Sequence, residues 1–236
     1  KDDYHGNRYS DNQSHGVSGT LSRNLSEYWE NAVGRLSLGA TRYDSNTSQT
    51  DYYTSTIGVE KSLTETIGFY VDGGMGYTES TYDTYRPISS WPFYEFYEAQ
   101  ENGIGFTGRA GLTYRDELNE AALTASHDVQ PANGESGTLE RSSLQARLEH
   151  RLTEQSRVSL SGGYTLNKST EEVANYDATD ETSWWIQPRL SYNFDQEWLL
   201  EGSYNYGQVH DNDNGDADRT RNLVMLRLEY RYPVLE

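Results

Sequence analysis

Charged residues recur at every second position in several segments of this sequence, a spacing that could line a path for ions or polar solutes. Near the end of the chain, Arg227, Glu229 and Arg231 alternate with leucine and tyrosine. In a β-strand, this alternation places the charges on one face and the apolar side chains on the other. Rings of charged side chains bias which ions a pore admits. The residues on the charged face of each predicted strand are predicted to line a pore. They are Arg35, Glu60, Asp72, Arg109, Arg115, Arg147, Glu149, Arg189, Glu201, Arg227, Glu229 and Arg231.

The predicted lining is mildly basic, although the chain as a whole is acidic. Seven of its residues are arginines and five are acidic, whereas the net charge of the chain is −18. An open path with this lining would favour anionic or hydroxyl-rich solutes. The same charges could instead form a ladder of salt bridges that fills a narrow interior. The sequence leaves both interpretations open.

Histidines beside acidic residues are a second set with chemical potential. His127-Asp128 and His210-Asp211 could each act as the acid–base pair of a hydrolase. Adjacent residues of a strand point to opposite faces, so neither pair has the geometry of a dyad. The sequence also has no Gly-x-Ser-x-Gly elbow for a nucleophile. We therefore predict no catalytic residue, no enzymatic activity and no cofactor.

An acidic loop near the C-terminus offers oxygen ligands of the kind that Ca²⁺ prefers. The spacing lacks the order of an EF-hand loop and its closing glutamate, so a solvated acidic loop is the favoured interpretation and no metal site is predicted. The residues of this calcium candidate are Asp211, Asp213, Asp216 and Asp218.

An aromatic-rich stretch, residues 79–102, is predicted to be an extra-long loop. Its rings could stack on sugars or anchor a partner protein. Alternatively, the loop folds over the mouth of the predicted pore or rests on a lipid interface. The predicted extracellular contacts are Trp91, Phe93, Tyr94, Phe96 and Tyr97.

The elements that position these residues are strands joined alternately by short turns and long loops. Short polar turns such as Leu63-Thr64-Glu65 and Leu152-Thr153-Glu154 recur along the chain. Pro188 falls inside one strand and predicts a local irregularity there. The period-two pattern predicts eleven strands, at residues 16–25, 32–43, 51–63, 66–78, 103–115, 118–129, 138–152, 156–168, 182–194, 197–209 and 219–232.

Composition separates the candidate fold classes. Apolar residues form 34% of the 236 residues and the mean hydropathy is −0.89, too little for a sandwich with two apolar inner faces. The 20 tyrosines and the regular alternation argue against disorder. No stretch approaches the ~20 apolar residues of a membrane helix. The absence of cysteine excludes disulfides, and the acidic loops disfavour nucleic acid as a partner.

The Leu-Thr-Glu turns, the tyrosine-rich alternating strands and the acidic loops together resemble bacterial outer-membrane β-barrel proteins of the porin-like kind. The last strand resembles a closing barrel strand in Leu226, Leu228, Tyr230 and Tyr232 but does not end on an aromatic residue. The resemblance implies an all-β, antiparallel, up-and-down transmembrane barrel with short periplasmic turns and long extracellular loops. Since such bacterial barrels have even strand counts, we expect about 12 strands.

The resemblance divides the chain into residues 1–15, an N-terminal segment or incomplete first strand, and residues 16–236, the transmembrane barrel. The twelfth strand would be Lys1–Ser10, which lacks a convincing apolar face, or a segment outside this sequence. The implied location is the outer membrane of a Gram-negative bacterium.

The resemblance implies a porin for passive diffusion of small hydrophilic solutes, with anionic solutes and oligosaccharides as candidates. Its expected partners are the lipid bilayer, lipopolysaccharide and the solute, and a protein partner is a further candidate. One alternative is a structural barrel that sheathes or docks a partner protein. Another is an outer-membrane hydrolase with its site at the rim.

Overall fold

In the part of the chain that the structure describes, eleven long strands follow one another and pair only with their neighbours in sequence. The computed structural model describes residues 13–45, 48–87, 94–131, 138–169, 180–212 and 217–232. The strands are β1 (Gln13–Asn24), β2 (Ala32–Asp44), β3 (Ser48–Ser62), β4 (Ile67–Pro87), β5 (Tyr94–Arg115), β6 (Asn119–Pro131), β7 (Thr138–Arg151), β8 (Ser156–Ser169), β9 (Asp180–Asn193), β10 (Trp198–Asp211) and β11 (Ala217–Tyr230). They form one antiparallel sheet in the order β1 to β11. In the described ranges, no helix has the length and hydropathy to cross a membrane.

The predicted up-and-down arrangement of strands is confirmed, and most strand bounds lie within a few residues of the predicted ones. In the described part of the chain, β1 pairs only with β2, and β11 pairs only with β10. The predicted twelfth strand, Lys1–Ser10, lies outside the described residues. The first strand begins at Gln13, slightly before the predicted domain boundary.

One face of the sheet carries large apolar side chains that are exposed to the surroundings. Val17, Ile57, Ile104 and Val224 each expose more than 70% of their surface. Among the described residues, the buried hydrophobic side chains are only Ala32 and Val129, so these residues build no dry core. Soluble proteins rarely expose contiguous apolar surface on this scale. We call this side of the sheet the apolar face and the opposite side the polar face.

Aromatic rings lie at both ends of the apolar face. At the end with the short turns, the rings of Trp198 and Tyr230 are 4.7 Å apart. At the end with the long loops, Trp184 and Tyr206 are 5.1 Å apart. Trp198 and Tyr206 lie on the same strand, β10, about 27 Å apart along it. This separation is close to the ~25 Å apolar band of outer-membrane barrels, whose two edges carry aromatic girdles.

The prediction of a long loop at residues 79–102 is wrong. Strands β4 and β5 continue through most of it as a two-stranded ribbon, which pairs as far as Pro87 and Tyr94. The tyrosines and threonines of this stretch favour strand structure whether or not the strand lies in a membrane. Of the predicted loop contacts, Tyr97 is exposed in β5.

The other four predicted loop contacts lie at and beyond the end of the β5 strand. The backbones of Tyr94 and Phe96 belong to β5, and Trp91 and Phe93 lie outside the described residues. The contact role of this stretch stays a prediction.

The irregularity predicted at Pro188 is confirmed. Pairing between β9 and β10 runs up to Arg189 and Ser203, stops, and resumes at Ile186 and Tyr206 without a change of register. Proline has no backbone N–H, so it cannot donate a hydrogen bond to a neighbouring strand. The interruption is therefore local, and it leaves the faces of both strands unchanged.

Four of the short turns are closed by a side-chain oxygen at an equivalent position. Thr64 Oγ1 accepts hydrogen bonds from the N–H groups of two following residues, and Thr153 does the same. Asp116 and Asp195 take this role through a carboxylate oxygen. These are the Asx- and ST-type turns that Asp and Thr favour. The recurrent turn motif of the sequence thus fixes each tight reversal.

Asp116 is held most firmly, because it also accepts a hydrogen bond of 2.6 Å from the Tyr114 hydroxyl. This bond and those from the following backbone lower the pKa of Asp116 well below its usual range. The stabilisation that the ionised carboxylate gives is complete above the pKa of the unfolded chain, near 3.9. It is lost as the pH falls from there through the folded-state pKa.

We expect Asp116→Ala to lower the midpoint of thermal unfolding in detergent by a few degrees at pH 7. The difference from the native protein should shrink progressively below about pH 4. The matched control is Glu117→Ala, which removes the same charge from the same turn and should leave the midpoint unchanged. Equal effects from the two changes would show that net charge matters and the turn geometry does not.

Candidate pore lining

All twelve residues predicted to line a pore take part in ion pairs. The strand register places them opposite the exposed apolar side chains, on the polar face. The sequence therefore identified charges that share one face and pair there in several separate groups. That these residues line a conducting path is still a prediction.

A four-residue cluster spans β2 to β5 near the middle of the polar face. Arg35 contacts Glu60 at 3.0 Å and Asp72 at 3.3 Å through two different guanidinium nitrogens. Arg109 reaches the other carboxylate oxygen of Asp72 at 3.2 Å. The Asp72 side chain is only 12% exposed, so its charge depends on these two arginines. The cluster holds three inter-strand seams together.

Two glycines make room for this cluster. A Cβ at Gly58 would lie 2.0 Å from an Asp72 carboxylate oxygen. The Asp72 carboxylate can therefore take this position only because residue 58 is glycine. Similarly, a Cβ at Gly111 would lie 2.3 Å from the ring of Tyr70. The Tyr70 ring lies 5.9 Å from the guanidinium of Arg35 and 5.2 Å from that of Arg109, within cation–π range.

Tyr70 was missed by the sequence reasoning, which took tyrosine as a general strand former. Its position in β4 could have revealed it, because Tyr70 and Asp72 are two residues apart and therefore lie on the same face. The tyrosines of the apolar face, such as Tyr77, have the opposite parity.

Two further groups each place one glutamate between two arginines. Glu149 contacts Arg147 at 2.9 Å and Arg157 at 3.0 Å. Glu229 contacts Arg231 at 3.0 Å and also pairs with Arg227. We call these two groups the arginine triads. Each carries a net charge of +1.

In both triads the arginines are more exposed than the glutamate between them. The Glu149 and Glu229 side chains are 17% and 27% exposed, whereas their four arginine partners are 54–60% exposed. The Arg189–Glu201 pair shows the same order. Long arginine stems carry their charge away from the backbone, and shorter acidic side chains stay close to it. Positive charge is therefore outermost in these groups.

Arg157 completes one triad and was missed by the sequence reasoning. It lies next to a short turn, at the edge of the predicted strand. Its parity with Ser159 and Ser161, which alternate with Val158 and Leu160, was the available signal.

The ion pairs lie along the wall of the sheet. Among the described residues, each pair joins positions on one strand, on adjacent strands, or on strands two apart. Cavities of about 580 Å³ and 360 Å³ open on either side of the four-residue cluster, and both are lined in part by Arg35 and Arg109. The charges therefore leave space above the polar face.

The end of β6 covers part of the polar face near the long loops. β6 pairs with β5 only as far as His127. Val129, which is 2% exposed, then packs against Gly105. Thr78 and Ser80 of β4 are also buried. Backbone and small side chains thus cover part of the polar face at this end.

The two histidines flagged by the sequence do not pair with the adjacent aspartates. His127 Nδ1 lies 2.8 Å from Ser142 Oγ, and its ring stacks on Phe106. Asp128, the next residue, lines the cavity on the polar face together with Asp72. His210 Nδ1 lies 2.6 Å from its cross-strand partner Asp218. This agrees with the expectation that adjacent residues of a strand point to opposite faces.

The calcium candidate is only partly described, because Asp213 and Asp216 lie outside the described residues. Asp218 contacts His210, and Asp211 lies 3.9 Å from Arg219. Within the described ranges, no group of three or more His, Asp or Glu side chains could hold a metal ion.

We expect Asp72→Asn to destabilise the folded protein by about 1–3 kcal/mol, because it leaves two arginines facing a neutral amide in a largely shielded position. The matched control is Glu120→Gln, which breaks the exposed pair with Arg115 and should cost less than about 1 kcal/mol. Urea unfolding in detergent measures both. Equal losses would mean that the four-residue cluster contributes no more than a surface pair.

Comparison with known proteins bears on the fold. No protein-family model and no curated protein sequence matches the chain. Among solved structures, the alcaligin outer-membrane receptor FauA of Bordetella pertussis matches over 95% of this chain with a TM-score of 0.60 and 16% identity. A Pseudomonas aeruginosa FadL homologue matches over 92% with a TM-score of 0.47 and 10% identity. The NanC porin matches over 94% with a TM-score of 0.41 and 10% identity.

The chain spans 44% of the length of the FauA receptor, 66% of the FadL homologue and 97% of NanC. At these identities the comparison bears on the fold alone. The eleven antiparallel strands, the exposed apolar face and the match to FauA confirm the predicted class: the chain has the fold of the bacterial outer-membrane β-barrel proteins.

Proposed function

We propose that this chain forms an outer-membrane channel for passive diffusion of small hydrophilic solutes, with a preference for anions. The observation that carries the proposal is the order of exposure in the two arginine triads. Arginines stand outermost in the triads and glutamates lie beneath them. A solute that passes the triads would meet guanidinium groups first.

The orientation of the two faces follows from the cost of burying charge. An arginine facing lipid at mid-bilayer costs roughly 2–4 kcal/mol. The polar face carries many arginines, so it must face water in a membrane. The apolar face, with its aromatic rings at both ends, suits the surrounding lipid. The polar face is then the wall of the lumen.

An open interior is supported by the way in which the charges are neutralised. Ion pairs that joined opposite walls would close a lumen, whereas pairs along one wall stiffen it and leave its centre to water. The described pairs are of the second kind. They suit a passive path, in which weak interactions with many groups let a solute enter and leave.

Channel function is favoured over a rim hydrolase. The ring of His127 has no hydrogen-bonded carboxylate within the described residues, and a base needs such a group to orient it. His210 has such a carboxylate in Asp218, but the sequence has no Gly-x-Ser-x-Gly elbow to supply a nucleophile. We propose that the chain is not an enzyme. A docked protein partner and bound lipopolysaccharide stay predictions.

Reversal potentials in planar bilayers under a KCl gradient test the proposal. The native protein should pass chloride more readily than potassium. Arg147→Gln combined with Arg157→Gln should lower this preference, because it removes the outermost charges of one triad. Glu149→Gln should raise it, because the two arginines then lack their counter-charge.

The matched control is Arg42→Gln. Arg42 lies on the apolar face, where it pairs with Asp51 at 2.7 Å, so this change removes one positive charge outside the lumen. It should leave the reversal potential as it is. A native protein that passes no current, or a selectivity that follows net charge regardless of position, would overturn the proposal.

A further inference from the structure

We propose that Trp185 is a stacking platform for sugar rings on the polar face, so that the solutes of this channel include pyranosides. The inference rests on the proposed channel function and names a class of solute for it. Four observations carry it: the direction of Trp185, its support by glycine, its unused donor and the polar groups around it.

The first observation is that two adjacent tryptophans of β9 lie on opposite faces of the sheet. Trp184 belongs to the apolar face, where its ring contacts that of Tyr206. Trp185 shares its parity with Arg189, which pairs with Glu201 on the polar face. One indole therefore meets lipid and the other meets the lumen. Only the first position is explained by an aromatic girdle.

The second observation is that Trp185 is flanked by glycine on both neighbouring strands. Its cross-strand partners are Gly163 on β8 and Gly207 on β10. A Cβ at Gly163 would lie 2.6 Å from the indole Nε1 and 2.9 Å from Cε2. The indole therefore covers Gly163, and its side chain is half-buried. Part of the surface of Trp185 remains exposed.

The third observation is an unused hydrogen-bond donor. In the part of the chain that the structure describes, the indole N–H of Trp185 makes no hydrogen bond. Buried or half-buried tryptophan N–H groups usually find a partner. The N–H is thus available to a hydroxyl group of a solute.

The fourth observation is the set of polar groups around the ring. Gln187 follows Trp185 on the same face, and Asn205 lies opposite Gln187 where pairing is interrupted next to Pro188. Neither amide side chain has a hydrogen-bond partner among the described residues. Donors and acceptors therefore flank an apolar ring.

This combination suits a pyranose ring. The axial C–H groups of a pyranose form an apolar patch that packs on an aromatic face, while its equatorial hydroxyl groups point sideways to donors and acceptors. Ligand sites generally combine an apolar surface with a few placed polar groups. A bare inorganic anion would use the arginines but would gain nothing from Trp185.

Sugar-induced block of the ion current tests the proposal. The probes are maltotriose, as a neutral pyranoside, and trigalacturonic acid, as an acidic one. We expect at least one of them to block the native channel reversibly. Trp185→Ala should weaken that block by about tenfold, the loss expected for one stacking contact. Trp185→Phe should retain part of the block.

The matched control is Trp184→Ala, which removes the same side chain from the next position on the other face. It should leave the block unchanged. Gly163→Val places side-chain atoms where the indole lies and should weaken the block as Trp185→Ala does. The ion conductance of each variant in the absence of sugar reports whether the barrel is intact.

Tryptophan fluorescence in detergent separates this inference from the proposed function, because it needs no current. If the protein conducts no ions but a probe changes the fluorescence in Trp184→Phe and not in Trp185→Phe, the channel proposal fails and the platform stands. If the protein conducts ions but neither probe blocks it or changes its fluorescence, the platform is overturned. Equal losses from Trp184→Ala and Trp185→Ala would also overturn it.

Discussion

Each strand of this protein must satisfy lipid on one side and water on the other, and the rest of the structure depends on that constraint. A period of two is the only sequence pattern that gives one strand two chemically opposite faces. It removes the need for a dry core and explains how a chain of 34% apolar residues folds into a regular sheet. The backbone groups satisfy each other between strands, as a membrane requires.

Most of the fold could be predicted from the sequence, because alternation and turn chemistry are local properties. The equivalent turns at Thr64, Asp116, Thr153 and Asp195 belong to a motif that recurs in the sequence. In each turn, the Thr or Asp of the motif accepts the backbone hydrogen bonds that close it. Pro188 is a second case, since the missing N–H has a local consequence. The ribbon of β4 and β5 was not predictable in this way. Strand propensity there competes with the expectation that strands end where the membrane ends.

The pairing of side chains on the polar face was less predictable, because it depends on strand register and on rotamers. Sequence parity identified Arg35 and Asp72 as sharing a face, but not that Asp72 lies over Gly58 to reach Arg35. The same limit applies to Trp184 and Trp185, which look alike as neighbours in sequence. Only their cross-strand partners show that one lies beside glycines on the polar face. Glycine beside an aromatic residue is thus a signal that becomes readable once the register is known.

The number of described strands has a geometrical consequence for the seam of a closed cylinder. Ten successive reversals leave β1 and β11 pointing the same way. If these two edges met each other directly, they would form a parallel ladder in a sheet that is otherwise antiparallel throughout. An intervening set of strands that preserves the alternation must be odd in number, and one is enough. The directions of β1 and β11 therefore determine the direction in which any strand between them has to run.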